Sequence, residues 1–165
     1  MPTFDLFHRE RTEVILSWLF PATYLIHITE DYWAGVALST SPVKIRGANL
    51  TPTEFLIVNG FAWILLVLGT ILAQRLKFRP WLLISLATAV IVNSIFHLKG
   101  AIRISAYNPG LISGVLVWIP LGLITLIAMK KKMQPRKYWI ALILGLGING
   151  SVLLLARFGR RLFER

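Results

Sequence analysis

Between Glu54 and Arg75 the chain reads EFLIVNGFAWILLVLGTILAQR, an uncharged run bounded by one acid and one base. At about 1.5 Å of rise per residue, an α-helix of this length crosses a hydrocarbon core of roughly 30 Å. Thr51-Pro52-Thr53-Glu54 opens the run. Thr53 is the expected N-cap, with Glu54 favourably placed against the positive end of the helix dipole.

Similar apolar runs lie on either side, over about 12–29, 80–98, 111–129 and 138–156. The expectation is therefore an all-α membrane bundle of about five transmembrane helices, forming a single domain over residues 1–165. Pro21 falls inside the first run and predicts a kink there. Pro80 suits the first turn of the third helix. Glu30–Thr53 forms a polar link in which Ser39-Thr40-Ser41-Pro42 and Gly47 read as loop. The first run ends in His27, Glu30 and Asp31, unlike the ion-free apolar stretch of a cleaved signal peptide, so it is expected to be retained.

Only 15% of the residues are charged and the mean hydropathy is +0.67, which excludes an ordinary soluble domain. The net charge of +11 would suggest nucleic acid in a soluble protein. Here the bases sit in short links between apolar runs, where anionic headgroups attract them, and no nucleic-acid partner is expected. Across five spans, Lys and Arg number ten on the amino-terminal side and eight on the other. That excess points to a cytoplasmic amino terminus. Ala141, Gly145, Gly147 and Ser151 include small-xxx-small spacing, and Asn149 is expected to hydrogen-bond across helices; both are packing signals and leave room for a homo-oligomer. The chain has no cysteine, so a metal site must use His, carboxylate or amide oxygen.

Three histidines are available. His27, Glu30 and Asp31 stand at i, i+3 and i+4, so a helix presents all three on one face. Asn93 and His97 are spaced i, i+4 at the end of the third run. The first and third runs point the same way, which brings both groups, and the following Tyr107-Asn108-Pro109-Gly110 turn, to one membrane surface. One His with carboxylates on one helix, and a second His on another, can bind a borderline cation and leave a position for water. The expected ligands are His27, Glu30 and His97. Asp31 is a fourth ligand or a base beside them, and Asn93 and Tyr107 orient ligands or substrate. Zn²⁺ is the first choice of divalent metal, with Fe or Mn as alternatives. The expected activity is metal-dependent hydrolysis of a lipid-like or amphiphilic substrate drawn from the bilayer.

Two alternatives use the same residues. In a metal-free isomerase or cyclase, Glu30 or Asp31 would protonate the substrate and His97 would accept a proton. In a cation or solute carrier the polar groups would line a path, although carriers place such groups nearer the midplane.

His27-Ile28-Thr29-Glu30-Asp31, Asn93-x-x-x-His97 and Tyr107-x-Pro109-Gly110 resemble, in this order, the motifs of the HXXEE domain family. These are small multi-spanning prokaryotic membrane proteins marked by HxxEE, NxxxH and YxPG. The resemblance covers roughly residues 14–130. It implies an active site at these residues and names no reaction. Asp31 stands where the family has a second Glu, one methylene shorter in reach.

Overall fold

The computed structural model describes residues 2–37, 43–45 and 48–158. Within them, five helices form a bundle: α1 (Pro2–Asp31), α2 (Pro52–Arg75), α3 (Arg79–Ile104), α4 (Leu111–Lys130) and α5 (Pro135–Phe158). Three of these, α2, α3 and α4, are long and apolar enough to cross a membrane. α1 is uncharged from Val14 to Thr29 and runs as one helix through Pro21. The indole Nε1 of Trp63 on α2 donates to the carbonyl of Pro21 (3.0 Å), joining α1 and α2 at this point.

Several boundaries differ from expectation. α2 begins at Pro52, and Thr51, not Thr53, caps it. The Thr51 hydroxyl accepts from the Glu54 amide (3.2 Å), while Oε2 of Glu54 accepts from the Thr51 amide (2.8 Å). Pro52 explains the shift: its missing N–H and preset φ suit the first helical position, so the residue before it becomes the cap. α3 continues to Ile104, past the expected end near Leu98, and stops where Ser105 turns left-handed (φ 49°). Past α1, wide helical turns over Tyr32–Ala37 extend the chain. An antiparallel ribbon, β1 (Val43–Ile45) with β2 (Ala48–Leu50), then replaces part of the expected loop, with Lys44 opposite Asn49. Ser39–Pro42 and Gly47 lie outside the described residues.

α3 is the centre of the bundle and packs against each of the other four helices. Its Leu83, Ile84 and Ala87 form the core with Leu16 and Phe20 of α1, Leu121 and Met129 of α4, and Ala141 of α5. Small residues bring backbones together on the α3–α5 seam. A Cβ on Gly145 would sit 2.5 Å from the carbonyl oxygen of Ser85. Ser85 donates to the carbonyl of Ala141 (3.0 Å), and Asn149 donates to that of Ala89 (2.9 Å). Gly147 faces open space and Ser151 is exposed, so these two small residues take no part in the seam. The outer face of α2 carries Leu56, Ile57, Phe61, Ile64, Leu65 and Leu68, all exposed. In water such a face would be costly; against lipid tails it is matched.

In the amino-terminal half of α1, Glu13 pairs with Lys132 (2.8 Å) and meets Arg79 at 4.0 Å. The starts of α1 and α3 and the end of α4 therefore share one side of the bundle. The ends of α1 and α3 and the start of α4 share the other.

Candidate metal centre

His27, Glu30 and Asp31 occupy the last turn of α1, and Asn93 and His97 face them from α3. His27 is the buried member, 3% exposed, and its ring is held on every side. Nδ1 lies 2.8 Å from Oγ of Ser113. Nε2 lies 3.2 Å from Nδ2 of Asn93 and 3.6 Å from Oδ2 of Asp31. The face of the ring stacks on Trp118, with centroids 3.7 Å apart, and its edge meets the ring of His97 at 5.0 Å.

Ser113 and Trp118 reach the same histidine because α4 widens over Gly114–Trp118 into i→i+5 bonding. Residues five apart stand roughly 140° apart around an α-helix. A π-type turn brings them onto one face, a device often found at functional sites. Trp118 is fixed in turn by its Nε1, which donates to Oγ1 of Thr23 (3.3 Å).

The side chains that converge are His27, Asp31 and His97, which offer one ligand atom each, all within 4.8 Å of one another. Gly110 roofs them. A Cβ at that position would stand 2.4 Å from Oδ1 of Asp31 and 2.7 Å from the Cε1 atoms of both histidines. Gly110 also has φ +79°, a conformation that favours glycine. Both the backbone turn and the space beneath it thus require the missing side chain.

Glu30 is placed differently from expectation. Its Oε1 accepts from the Ile112 amide (2.9 Å) and its Oε2 from the Ser113 amide (2.7 Å). The Tyr107 hydroxyl donates to the same carboxylate. The physical reason is the start of α4. Gly110 is its N-cap and has no side chain to satisfy the first amides, so Glu30 of another helix supplies the cap. There the carboxylate also meets the positive end of a helix dipole, whereas at the end of α1 it opposes one. Asp31 thereby takes the place beside the two histidines that was expected of Glu30.

Burial works against the charged form of Glu30, but hydrogen bonds from Ser113, Tyr107 and Ile112 outweigh it. They hold its carboxyl below the usual carboxylate range. Tyr107 shifts the other way: desolvation, then its bond to Glu30 and the charges of Glu30 and Asp31, push its hydroxyl above the usual phenol range. Tyr107 therefore supports Glu30 and does not reach the His27–Asp31–His97 group directly. Asn108 anchors the turn by donating to the carbonyl of His97 (3.1 Å).

Ser113, Trp118 and the roofing role of Gly110 were not evident from sequence. Ser113 stands three residues after Gly110, at a helix start, which is the one local signal for it. Trp118 had none, since its position depends on the widened turn.

A family described as proteins of unknown function with an HXXEE motif matches residues 18–125, and the chain belongs to it. No curated protein and no solved structure matches the chain.

Proposed function

We propose that this member of the HXXEE family is a metal-dependent membrane enzyme, a hydrolase of lipid-like or amphiphilic substrates, with His27, Asp31 and His97 as its metal ligands. The convergence of those three donors beneath Gly110 is the observation that carries the proposal. Donors around a tetrahedral Zn²⁺ stand roughly 3.4 Å apart, given bonds of about 2.0–2.2 Å. From separations of 4.8 Å or less, small side-chain rotations close the gap, so the residues fit the ion. Two imidazoles and one carboxylate suit Zn²⁺ first, with Fe²⁺ and Mn²⁺ as alternatives. A divalent ion there supplies Lewis acidity and lowers the pKa of bound water towards about 7.

The remaining groups bind and orient. Trp118 and Ser113 fix the plane of the His27 ring. The Asn93 amide, 3.2 Å from Nε2 of His27, stands ready to turn towards a substrate oxygen. Tyr107 and Glu30 hold the start of α4, and through it the Gly110 roof. The site lies at the ends of α1 and α3, where headgroups and ester linkages of amphiphiles sit. We place this end on the outer face of a prokaryotic cytoplasmic membrane, with the amino terminus in the cytoplasm, on the Lys and Arg excess of the opposite side.

One contact favours a second mechanism. His27 Nε2 and Asp31 Oδ2, 3.6 Å apart, bring together a base and a carboxyl group for acid–base chemistry on a substrate without metal. Metal analysis of purified protein separates the two. The metal proposal expects one equivalent of Zn²⁺ retained by wild type and lost, at least tenfold in affinity, in His97→Ala and His27→Ala. Wild type that binds no Zn²⁺, Mn²⁺ or Fe²⁺ in calorimetric titration overturns it and leaves the acid–base pair.

A further inference from the structure

We infer that the turn 105–110 is a lid over the His27–Asp31–His97 group, hinged at both ends, and that a substrate reaches the group beneath when the lid lifts. Space is the first reason. Gly110 leaves too little room above the three side chains for a methyl group, since a Cβ there would stand 2.4–2.7 Å from atoms of all three. A carbonyl or phosphoryl group is larger than a methyl group, so no substrate fits between the roof and the group as they stand. His27 is only 3% exposed, and a face of its ring is taken by Trp118. The hinges are the second reason. The turn is bracketed by two residues with left-handed backbone, Ser105 (φ 49°) and Gly110 (φ +79°). Glycine adopts that conformation readily, but serine does so at a cost, so the closed turn carries strain at Ser105 that lifting releases. Changes of φ and ψ at a few such terminal residues are how lids move.

The closed lid is held by side chains that can let go without disturbing a helix. Nδ2 of Asn108 donates to the carbonyl of His97 (3.1 Å), and the Tyr107 hydroxyl donates to Glu30. Asn108 also fills a notch on α3. A Cβ on Gly100 would stand 2.0 Å from Nδ2 of Asn108, so only glycine leaves room for this latch. Between the hinges, Pro109 fixes its own φ and restricts Asn108, which lets 106–109 move as one piece. Ala106 and Tyr107 are exposed, so the turn lifts towards the headgroup layer without displacing a helix. Lifting opens the group to an amphiphile from the membrane surface. That role rests on the proposal that the group is the reactive site; the lid itself does not.

The test locks the lid. The chain has no cysteine, so Gly100→Cys with Asn108→Cys supplies a single pair of thiols. A Cβ at position 100 stands 4.0 Å from that of Asn108, within the roughly 3.5–4.5 Å that a disulfide spans, and the amide that crowds Gly100 is gone. Oxidation ties the turn to α3, and reduction frees it with the Asn108 latch removed. Full-length protein in lipid nanodiscs, freed of metal with chelator, is treated with diethyl pyrocarbonate, and carbethoxylation of each histidine is followed by peptide mass spectrometry. His27 is expected to react roughly tenfold more slowly, or slower still, in the oxidised form than in the reduced form, with His8 near the other end of α1 as the unchanged reference. Tyr107→Phe removes the other latch by one oxygen atom and is expected to speed the reaction of His27 above the wild-type rate. Equal His27 rates in the oxidised and reduced forms overturn the inference. So does an unchanged rate in Tyr107→Phe, and that comparison decides if the double variant fails to fold. Zn²⁺ titrated calorimetrically into wild type reads the metal proposal separately. No binding removes that proposal and leaves the lid, whereas binding with equal His27 rates removes the lid alone.

Discussion

Neighbouring carboxylates at the end of α1 have been given different work by the residues that face them. Asp31 meets imidazoles, and Glu30 meets amides and the Tyr107 hydroxyl. Because the folded-state pKa of Glu30 is depressed below its ordinary 4.5, the stability it contributes is complete above that value and is lost as pH falls through the lower folded value. Unfolding in detergent between about pH 5 and pH 3 should therefore be steeper for wild type than for Glu30→Gln, which should also be about 1 kcal/mol less stable at neutral pH through its weakened cap. Parallel curves would show that the carboxylate is not coupled to folding. Gly110 gives a second test at this scale. Gly110→Ala should lose roughly 1–2 kcal/mol from its left-handed φ. Its methyl group should also displace Asp31 and both imidazoles, lowering Zn²⁺ affinity at least tenfold by calorimetry. Unchanged affinity in a folded Gly110→Ala would mean that the space under the roof is not where an ion sits.

At the scale of the element, helix ends and one irregular turn control the site more than helix interiors do. α4 begins without a cap of its own, borrows one from α1, and widens over Gly114–Trp118 so that two of its residues reach one histidine. α2 instead carries its own cap, the reciprocal bonds between Thr51 and Glu54. That cap is local, and its loss should stay local. Thr51→Ala is expected to cost about 1 kcal/mol of unfolding stability and to leave Zn²⁺ affinity unchanged. A parallel loss of metal binding would show that α2 is seated on the site more tightly than its packing suggests. Its lipid-facing surface argues against that, since few residues of α2, Phe55, Thr70 and Ala73, are buried.

Across the whole molecule, the ion cluster of Glu13, Arg79 and Lys132 marks one surface and the His27–Asp31–His97 group marks the other. The chain has no native thiol, so single cysteines report sidedness cleanly. Lys44→Cys, beyond α1, and Arg103→Cys, at the end of α3, should react with a membrane-impermeant maleimide from the same side. Lys131→Cys should react only from the opposite side. Labelling of positions 44 and 131 from one side would contradict the arrangement of the bundle in the membrane.

Sequence alone determined what depends on local spacing and on the solvent each residue prefers. Hydropathy over about twenty residues located the helices, because an unsatisfied backbone in lipid is too costly for other structures. The i, i+3, i+4 pattern put His27, Glu30 and Asp31 on one face, because 3.6 residues make a turn. Neither consideration could choose between Glu30 and Asp31, since both face the same way. That choice was made by the amides of α4, which lie far along the chain and come within reach only when α1 and α4 pack. The same holds for Ser113, for Trp118 and for the roof at Gly110. Their contacts with His27 and Asp31 cross between helices and depend on the register of a widened turn, a property of the packed bundle and not of any one segment.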